Sequence, residues 1–204
     1  LLEDIGTFFF SRVVAGAEEV AFEEGYSLLL STRWQTNDGA QPTLGPFNTD
    51  GLLAVNVNLS PALQSLYRSG YPIVNLYQPA TKALKVPFVT IQNKRGVYLL
   101  IEHLLRDHGM RRIGFLRGPQ GNYDSYWREQ GFYQAMRRYH VPVDPSLVVD
   151  CGFNTNRAHE IIVNWHRQGN LPEAVFTGDD ENALYVMLTL YELGLRVPED
   201  IAVI

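Results

Sequence analysis

Apolar positions recur at helical spacing in six stretches of the 204-residue chain. Five of them share one phrase: an apolar stripe, a glycine, then a short run of strand-forming residues. The stripes are Val13, Ala17, Val20 and Ala21 before Gly25; Leu59, Ala62, Leu63 and Leu66 before Gly70; and Val97, Leu100, Ile101, Leu104 and Leu105 before Gly109. Ala158, Ile161, Ile162 and Trp165 precede Gly169, and Leu184, Met187, Leu188 and Tyr191 precede Gly194. Spacing of i, i+3, i+4, i+7 puts each set on one packed face, and a glycine past the last turn supplies the left-handed residue that closes the helix. The sixth stretch, Phe132, Ala135, Met136 and Tyr139, ends at His140 and Pro142 instead. Ser60-Pro61 marks a helix start, with serine as cap and proline where no amide partner is needed.

Between these stretches lie apolar runs at 27–30, 52–55, 73–76, 88–91, 112–116, 147–149, 174–177 and 201–204. Their shortness and apolarity suit strands covered on both faces of a parallel sheet. Alternation of such strands with helices predicts an α/β chain with doubly wound parallel sheets. Residues 77–87, YQPATKALKVP, have no period, which places a crossing between two lobes there: residues 1–88 and 89–204. Residues 33–49 lack helical spacing where a crossover helix would ordinarily fall, so a loop or degenerate helix is expected.

Composition narrows the function. With 46% hydrophobic and 19% charged residues and no long uninterrupted apolar run, no membrane insertion is expected. A net charge of -5 argues against this segment gripping nucleic acid, which needs a clustered basic surface. Arg106, Arg111, Arg112 and Arg117 bracket one strand and read as solvated element ends. The single cysteine, Cys151, cannot form an internal disulfide and reads as a small buried residue in a reducing compartment. The opening residues Leu1-Leu2-Glu3-Asp4 lack the regions of a secretory leader, so a cytoplasmic location is expected.

Catalysis finds no support in the motifs. No G-x-G-x-x-G follows a predicted strand, and there is neither a P-loop nor a G-x-S-x-G elbow. The five histidines lie mainly on or at the ends of helices without a nucleophile to partner. Asp179, Asp180 and Glu181 could suggest a metal, but acidic residues at a helix start are ordinary. No cofactor and no metal are expected.

Several segments together resemble the effector-binding domain of LacI/GalR-type regulators: HLLRDHGMRRIGFLRGP at 103–119, WREQGF at 127–132, AVFTGDDENAL at 174–184 and LGLRVPEDIAVI at 193–204. FFSRVVAGAEEVAFEEGYSLLL at 9–30 and DGLLAV at 50–55 fit the same pattern. The resemblance covers nearly the whole chain and implies two Rossmann-like lobes of the type I periplasmic-binding-protein kind, closing on a small sugar or purine-like effector. It further implies a homodimer, DNA contact only through a helix-turn-helix lying before residue 1, and final strands lying after residue 204. Departures at Gln92, Met110 and Asp179-Asp180 bear on ligand identity more than on fold. A sugar-binding protein of a transporter and the sensor domain of a signalling protein are the alternatives.

In open α/β sheets ligands sit beyond the carboxyl ends of the strands. Arg128 matches the family's ligand-clamping arginine, and its planar set of donors suits vicinal hydroxyls or a carboxylate. Replacing it with alanine is expected to weaken binding at least about tenfold, ~1.4 kcal/mol, with little change in thermal stability. Asn122 and Asp124 lie in the loop after the strand ending at Leu116, with Arg128 shortly beyond them, and helix capping is their competing role. Asp179 matches a polar ligand residue, with Asp180 expected as the helix cap. Phe9, Phe10 and Phe153 match aromatic positions that stack on rings, and Tyr77 follows the strand at 73–76.

Overall fold

A computed structural model describes residues 8–31, 44–55, 59–79 and 84–204. The chain forms two compact units, Leu1–Ile91 and Gln92–Ile204. The first contains α1 (Phe8–Glu23), β1 (Leu52–Val55), α2 (Pro61–Arg68), β2 (Ile73–Leu76) and β3 (Phe88–Val89). Its strands form a parallel sheet in the order β1-β2-β3, with Leu52 opposite Ile73 and Leu76 opposite Val89. Residues 77–87 therefore join two neighbours of one sheet. Ser60 Oγ accepts the Leu63 amide at 3.3 Å and starts α2, which packs Leu63 against Leu52, Ala54 and Ile73.

Residues 27–30, expected as a strand, are not one. Leu28, Leu29 and Leu30 line a groove of roughly 750 Å3 together with Leu52, Leu53 and Val55 of β1. A strand is defined by a neighbour about 4.8 Å away that exchanges backbone hydrogen bonds, and residues 27–30 are paired with none of the strands of this sheet. Most of the expected irregularity at 33–49 lies outside the described residues; the part described, from Gly45 to Thr49, is a turn closed by Asn48 N donating to Gly45 O at 3.0 Å.

The second unit runs α3 (Asn93–Asp107), β4 (Ile113–Arg117), α4 (Tyr123–Arg138), a single 3-10 turn (Pro145–Leu147), β5 (Val148–Asp150), α5 (Thr155–Arg167), β6 (Ala174–Thr177), α6 (Asp180–Glu192) and β7 (Ala202–Val203). The strands lie parallel in the order β5-β4-β6-β7. Pleating divides the core in two. Ile113, Phe115, Ala174 and Phe176 face α3 and α4, where Phe132 packs 5.0 Å from Phe115. Leu116 and Val175 face α5 and α6, with Ile162, Trp165, Val186 and Leu190. Gly114 lies on that second face, where a Cβ would come within 3.0 Å of the Trp165 ring and of Pro172. The glycines after five of the helices, Gly25, Gly70, Gly109, Gly169 and Gly194, all have positive φ, as the sequence phrase requires.

Helix α6 corrects the pattern reading. Leu184, Met187, Leu188 and Tyr191 form its outward face, 44–81% exposed, while Asn182, Val186, Thr189 and Leu190 are buried. This helix is apolar on both sides, so period alone cannot select the packed one. Thr189 Oγ1 donates to Tyr185 O at 2.7 Å and Asn182 Nδ2 to Asp179 Oδ2 at 2.6 Å, while Asn182 Oδ1 is buried without a hydrogen-bond partner.

The arginines around β4 are not merely solvated ends. Arg117 bridges Glu129 at 3.2 Å and Asp150 at 2.8 Å. The amides of Arg111 and Arg112 donate to Glu173 at 2.6 and 2.7 Å, which holds that carboxyl below its ordinary range. Among the described residues, no helix is long and apolar enough to cross a membrane.

Candidate functional site

Strands β4 and β6 are parallel neighbours, so their carboxyl ends reach one edge of the second unit. Gly118 follows the first and Gly178 the second. The Gly178 amide donates to Leu116 O at 3.0 Å, drawing the two ends together. A side chain at Gly118 would collide with Ser125 Oγ and with the Phe153 ring, and one at Gly178 would come within 3.1 Å of the Gly118 nitrogen. These glycines let Phe153 lay its ring over both strand ends. Phe153 itself has φ 57, following Gly152 at φ 71, and remains 39% exposed.

Arg128, in the second turn of α4, lies across the same edge. Its Nε donates to Asn93 Oδ1 at 2.9 Å and its Nη1 to the carbonyl of Gly178. Asn93 Nδ2 in turn donates to Asp124 Oδ1 at 2.7 Å. One hydrogen-bonded chain thus ties the start of α3, the first turn of α4 and the end of β6. The guanidinium uses two of its five donors in this chain. The competing reading of Arg128, a salt bridge at the helix start, is not what forms: both acceptors are neutral.

Two carboxyls flank the arginine. Burial pushes Asp124 up from its ordinary range, opposed by Arg128 and by the bond from Asn93. Burial also pushes Asp179 up, opposed by the Asn182 amide and side chain at 2.8 and 2.6 Å and by Arg128. A carboxyl raised on folding contributes stability that is fully present below its unfolded pKa and is lost as pH rises through the folded one. At neutral pH each is a partly desolvated charge. Asp179→Asn, which keeps a capping oxygen, is therefore expected to raise the urea midpoint at pH 7. That gain should shrink as pH falls through the carboxylate range; a variant no more stable at pH 7 than the parent would contradict it.

Asp179, not Asp180, caps α6, correcting the sequence expectation. Its extended backbone lets the side chain turn back onto the Asn182 amide, while Asp180 is already the first helical residue. Asn122 is also a cap: its Oδ1 accepts the Ser125 amide at 2.9 Å. Arg128, Asp124, Asp179 and Phe153 come together on one edge, with Asn122 at the adjoining helix start.

The first unit brings its own three candidates together. Phe9 lies 5.1 Å from Phe10 and 5.2 Å from Tyr77, ring centre to ring centre. Tyr77 has φ 71, its amide donates to Val89 O at 2.7 Å, and its ring lies near Phe9 of α1. Phe9 is 45% exposed.

Sequence reasoning missed Asn93, which is 6% exposed and joins Arg128 to Asp124. The available signal was an asparagine two residues after an apolar run, at a helix start, a position ordinarily explained by capping. Gln92, not Asn93, is the cap residue, and the Asn93 side chain bonds Asp124 and Arg128 instead. Cys151 is buried, its thiol donating to Asn154 O at 3.4 Å, and burial pushes its pKa up. Among the described residues, no group of three or more His, Cys, Asp and Glu is arranged to hold a metal.

Parallel sheets flanked by helices, with glycine-lined strand ends facing a polar cluster, define an α/β fold of the type I periplasmic-binding-protein kind. The family described as periplasmic binding protein-like domain matches residues 101–204. The chain belongs to that family, as a LacI-type effector-binding domain. It is 28% identical over 202 residues to the HTH-type transcriptional repressor PurR of Klebsiella pneumoniae subsp. pneumoniae, covering 96% of this chain and 59% of that protein. The chain thus spans about 59% of the length of that relative. Among solved structures, the transcriptional regulator CelR–cellobiose complex is 25% identical with a TM-score of 0.73, over 96% of this chain and 61% of that one. A LacI family transcriptional regulator from Enterococcus faecium with bound ribose is 22% identical with a TM-score of 0.81, over 99% of this chain and 74% of that one.

Proposed function

We propose that this chain is the sensing part of a cytoplasmic transcriptional regulator, that it binds a neutral, hydroxyl-rich small molecule, and that it catalyses no reaction. The observation that carries the ligand class is the charge of the second unit's edge: one guanidinium beside two half-buried carboxylates. Such a surface offers donors and acceptors for vicinal hydroxyls, and its two negative charges oppose a phosphate or carboxylate ligand. Phe153 adds an apolar face on which a sugar ring can lie. The relatives support this reading, since two of the solved structures named above carry cellobiose and ribose. In this proposal the units Leu1–Ile91 and Gln92–Ile204 act as the two lobes of one sensor, and Phe9, Phe10 and Tyr77 are further contacts to the ligand. DNA is contacted by another part of the whole protein.

A thermal-shift panel tests the ligand class. Binding stabilises the folded state by RT ln(1 + [L]/Kd), about 2.7 kcal/mol at a hundredfold excess over Kd. Neutral sugars are expected to raise the melting temperature, and sugar phosphates and purine bases to leave it unchanged. Stabilisation by the phosphates alone would sink the charge argument.

The outward face of α6 supports a homodimer. Leu184, Met187, Leu188 and Tyr191 present adjoining apolar side chains on one helix, a surface depleted of charge as interface cores are. Leu188→Glu is expected to turn a dimer into a monomer in sedimentation equilibrium while leaving the circular dichroism spectrum unchanged. A parent chain that sediments as a monomer at high micromolar concentration would remove this reading.

A further inference from the structure

At the far end of α3 from Asn93, the side chains of His103 and His108 meet. The helix has 15 residues, so this end lies roughly 22 Å from the ligand edge at a rise of 1.5 Å per residue. His108 Nε2 and His103 Nε2 are 3.0 Å apart, and the two rings stand at 85° with centres 4.6 Å apart. His103 Nδ1 is 2.8 Å from Asp107 Oδ2. Arg106 holds the same carboxylate through Nε at 2.7 Å and Nη2 at 2.9 Å, so the acceptor for His103 is fixed in place. Asp107 keeps the His103 proton on Nδ1 and leaves its Nε2 lone pair facing His108.

We infer that His103 and His108 form a surface site for one borderline divalent transition-metal ion, such as Zn2+ or Ni2+, with both Nε2 atoms as ligands and water completing the shell. Two nitrogens each about 2.0–2.1 Å from one ion, at roughly 90–110°, lie about 2.9–3.4 Å apart, which spans the separation seen here. Imidazole is a ligand suited to zinc and nickel. A carboxylate on the distal ring nitrogen is the usual second partner of a metal-bound histidine, fixing its tautomer and raising its basicity. The partial negative charge of the α3 carboxyl terminus, where His108 caps the helix, adds to the attraction for a cation. Ion binding displaces the hydrogen bond between the rings: the His108 proton moves from Nε2 to Nδ1 through solvent, and no net proton is lost. Both rings are exposed, His103 with a side chain 55% accessible, so the ion reaches them without rearrangement of the core.

Calorimetric titration of the untagged chain with NiCl2, and separately with ZnCl2, in chelator-free buffer tests the site. One ion per chain is expected to bind saturably. His103→Ala and His108→Ala should each weaken binding at least tenfold, while His166→Ala, removing an exposed histidine at the end of α5, should leave it unchanged. Asp107 is a positioning residue: Asp107→Asn should weaken binding several-fold and Asp107→Glu should restore it, with the melting temperature of the metal-free protein unaltered in both. The inference is overturned if the parent takes up no ion at millimolar concentration, or if either His103→Ala or His108→Ala binds as tightly as the parent.

Discussion

Gly131→Ala is expected to lower the stability of the second unit by about 2 kcal/mol, although the same exchange in an open helix would raise it. Alanine is favoured over glycine within a helix by about 1 kcal/mol. At Gly131, on α4, that gain is overrun, because a Cβ there would sit 2.5 Å from the Lys94 carbonyl oxygen and 3.0 Å from Val97 Cβ. The obstacle is the backbone of α3, which cannot swing aside as a side chain can. Forcing extra carbon into such a contact typically costs about 1–3 kcal/mol, and here the helices must separate. Gly96, on α3 itself, is the control: nothing lies within 4 Å of its added Cβ, so Gly96→Ala is expected to stabilise by up to about 1 kcal/mol. Urea midpoints of the two variants should therefore move in opposite directions. Equal midpoints would show that the α3–α4 contact yields freely. The consequence reaches the candidate site, since Asn93 on α3 and Arg128 on α4 are held together by that same helix pair.

This glycine illustrates how much of the protein was readable in advance. The segment WREQGF was recognised as a motif, and the structure supplies the reason for its glycine: α4 crosses α3 too closely for any side chain. Helices stopped by glycine were legible because a left-handed residue has a specific chemical requirement. Residues 27–30 look like a strand because apolar character predicts burial, whereas a strand exists only if a partner backbone pairs with it. The packed face of α6 was misread for a related reason, as Leu184 and Leu188 are as apolar as Val186 and Leu190 and only tertiary contacts choose between them. At the site, Arg128, Asp124, Asp179 and Phe153 were legible from resemblance and from their places after strands. Asn93 was not, because its role is to join Arg128 to Asp124 across a long stretch of sequence. Nor was the capping of α6 by Asp179 in place of Asp180, which the extended backbone at Asp179 decides.

Arg128→Ala is expected to weaken binding of whichever neutral sugar stabilises the parent chain by ten- to a hundredfold, on the order of 1.5–3 kcal/mol for hydrogen bonds from a charged donor. The structure changes one part of the expectation drawn from sequence, that stability would be nearly unaffected. Removing the guanidinium strips Asn93 Oδ1 and the Gly178 carbonyl of their donor, and Asn93 is buried. Leaving buried acceptors unpaired costs roughly 1–3 kcal/mol, so the melting temperature should fall as well. Affinity must then be compared well below both transitions. Arg128→Lys separates geometry from charge, since an ammonium keeps the positive charge but cannot span Asn93 and Gly178 while presenting a flat row of donors. If the planar fork recognises the ligand, calorimetry will place Lys close to Ala. If positive charge beside Asp124 and Asp179 is all that matters, Lys will bind almost as the parent does, and the recognition of vicinal hydroxyls by Arg128 will have been disproved.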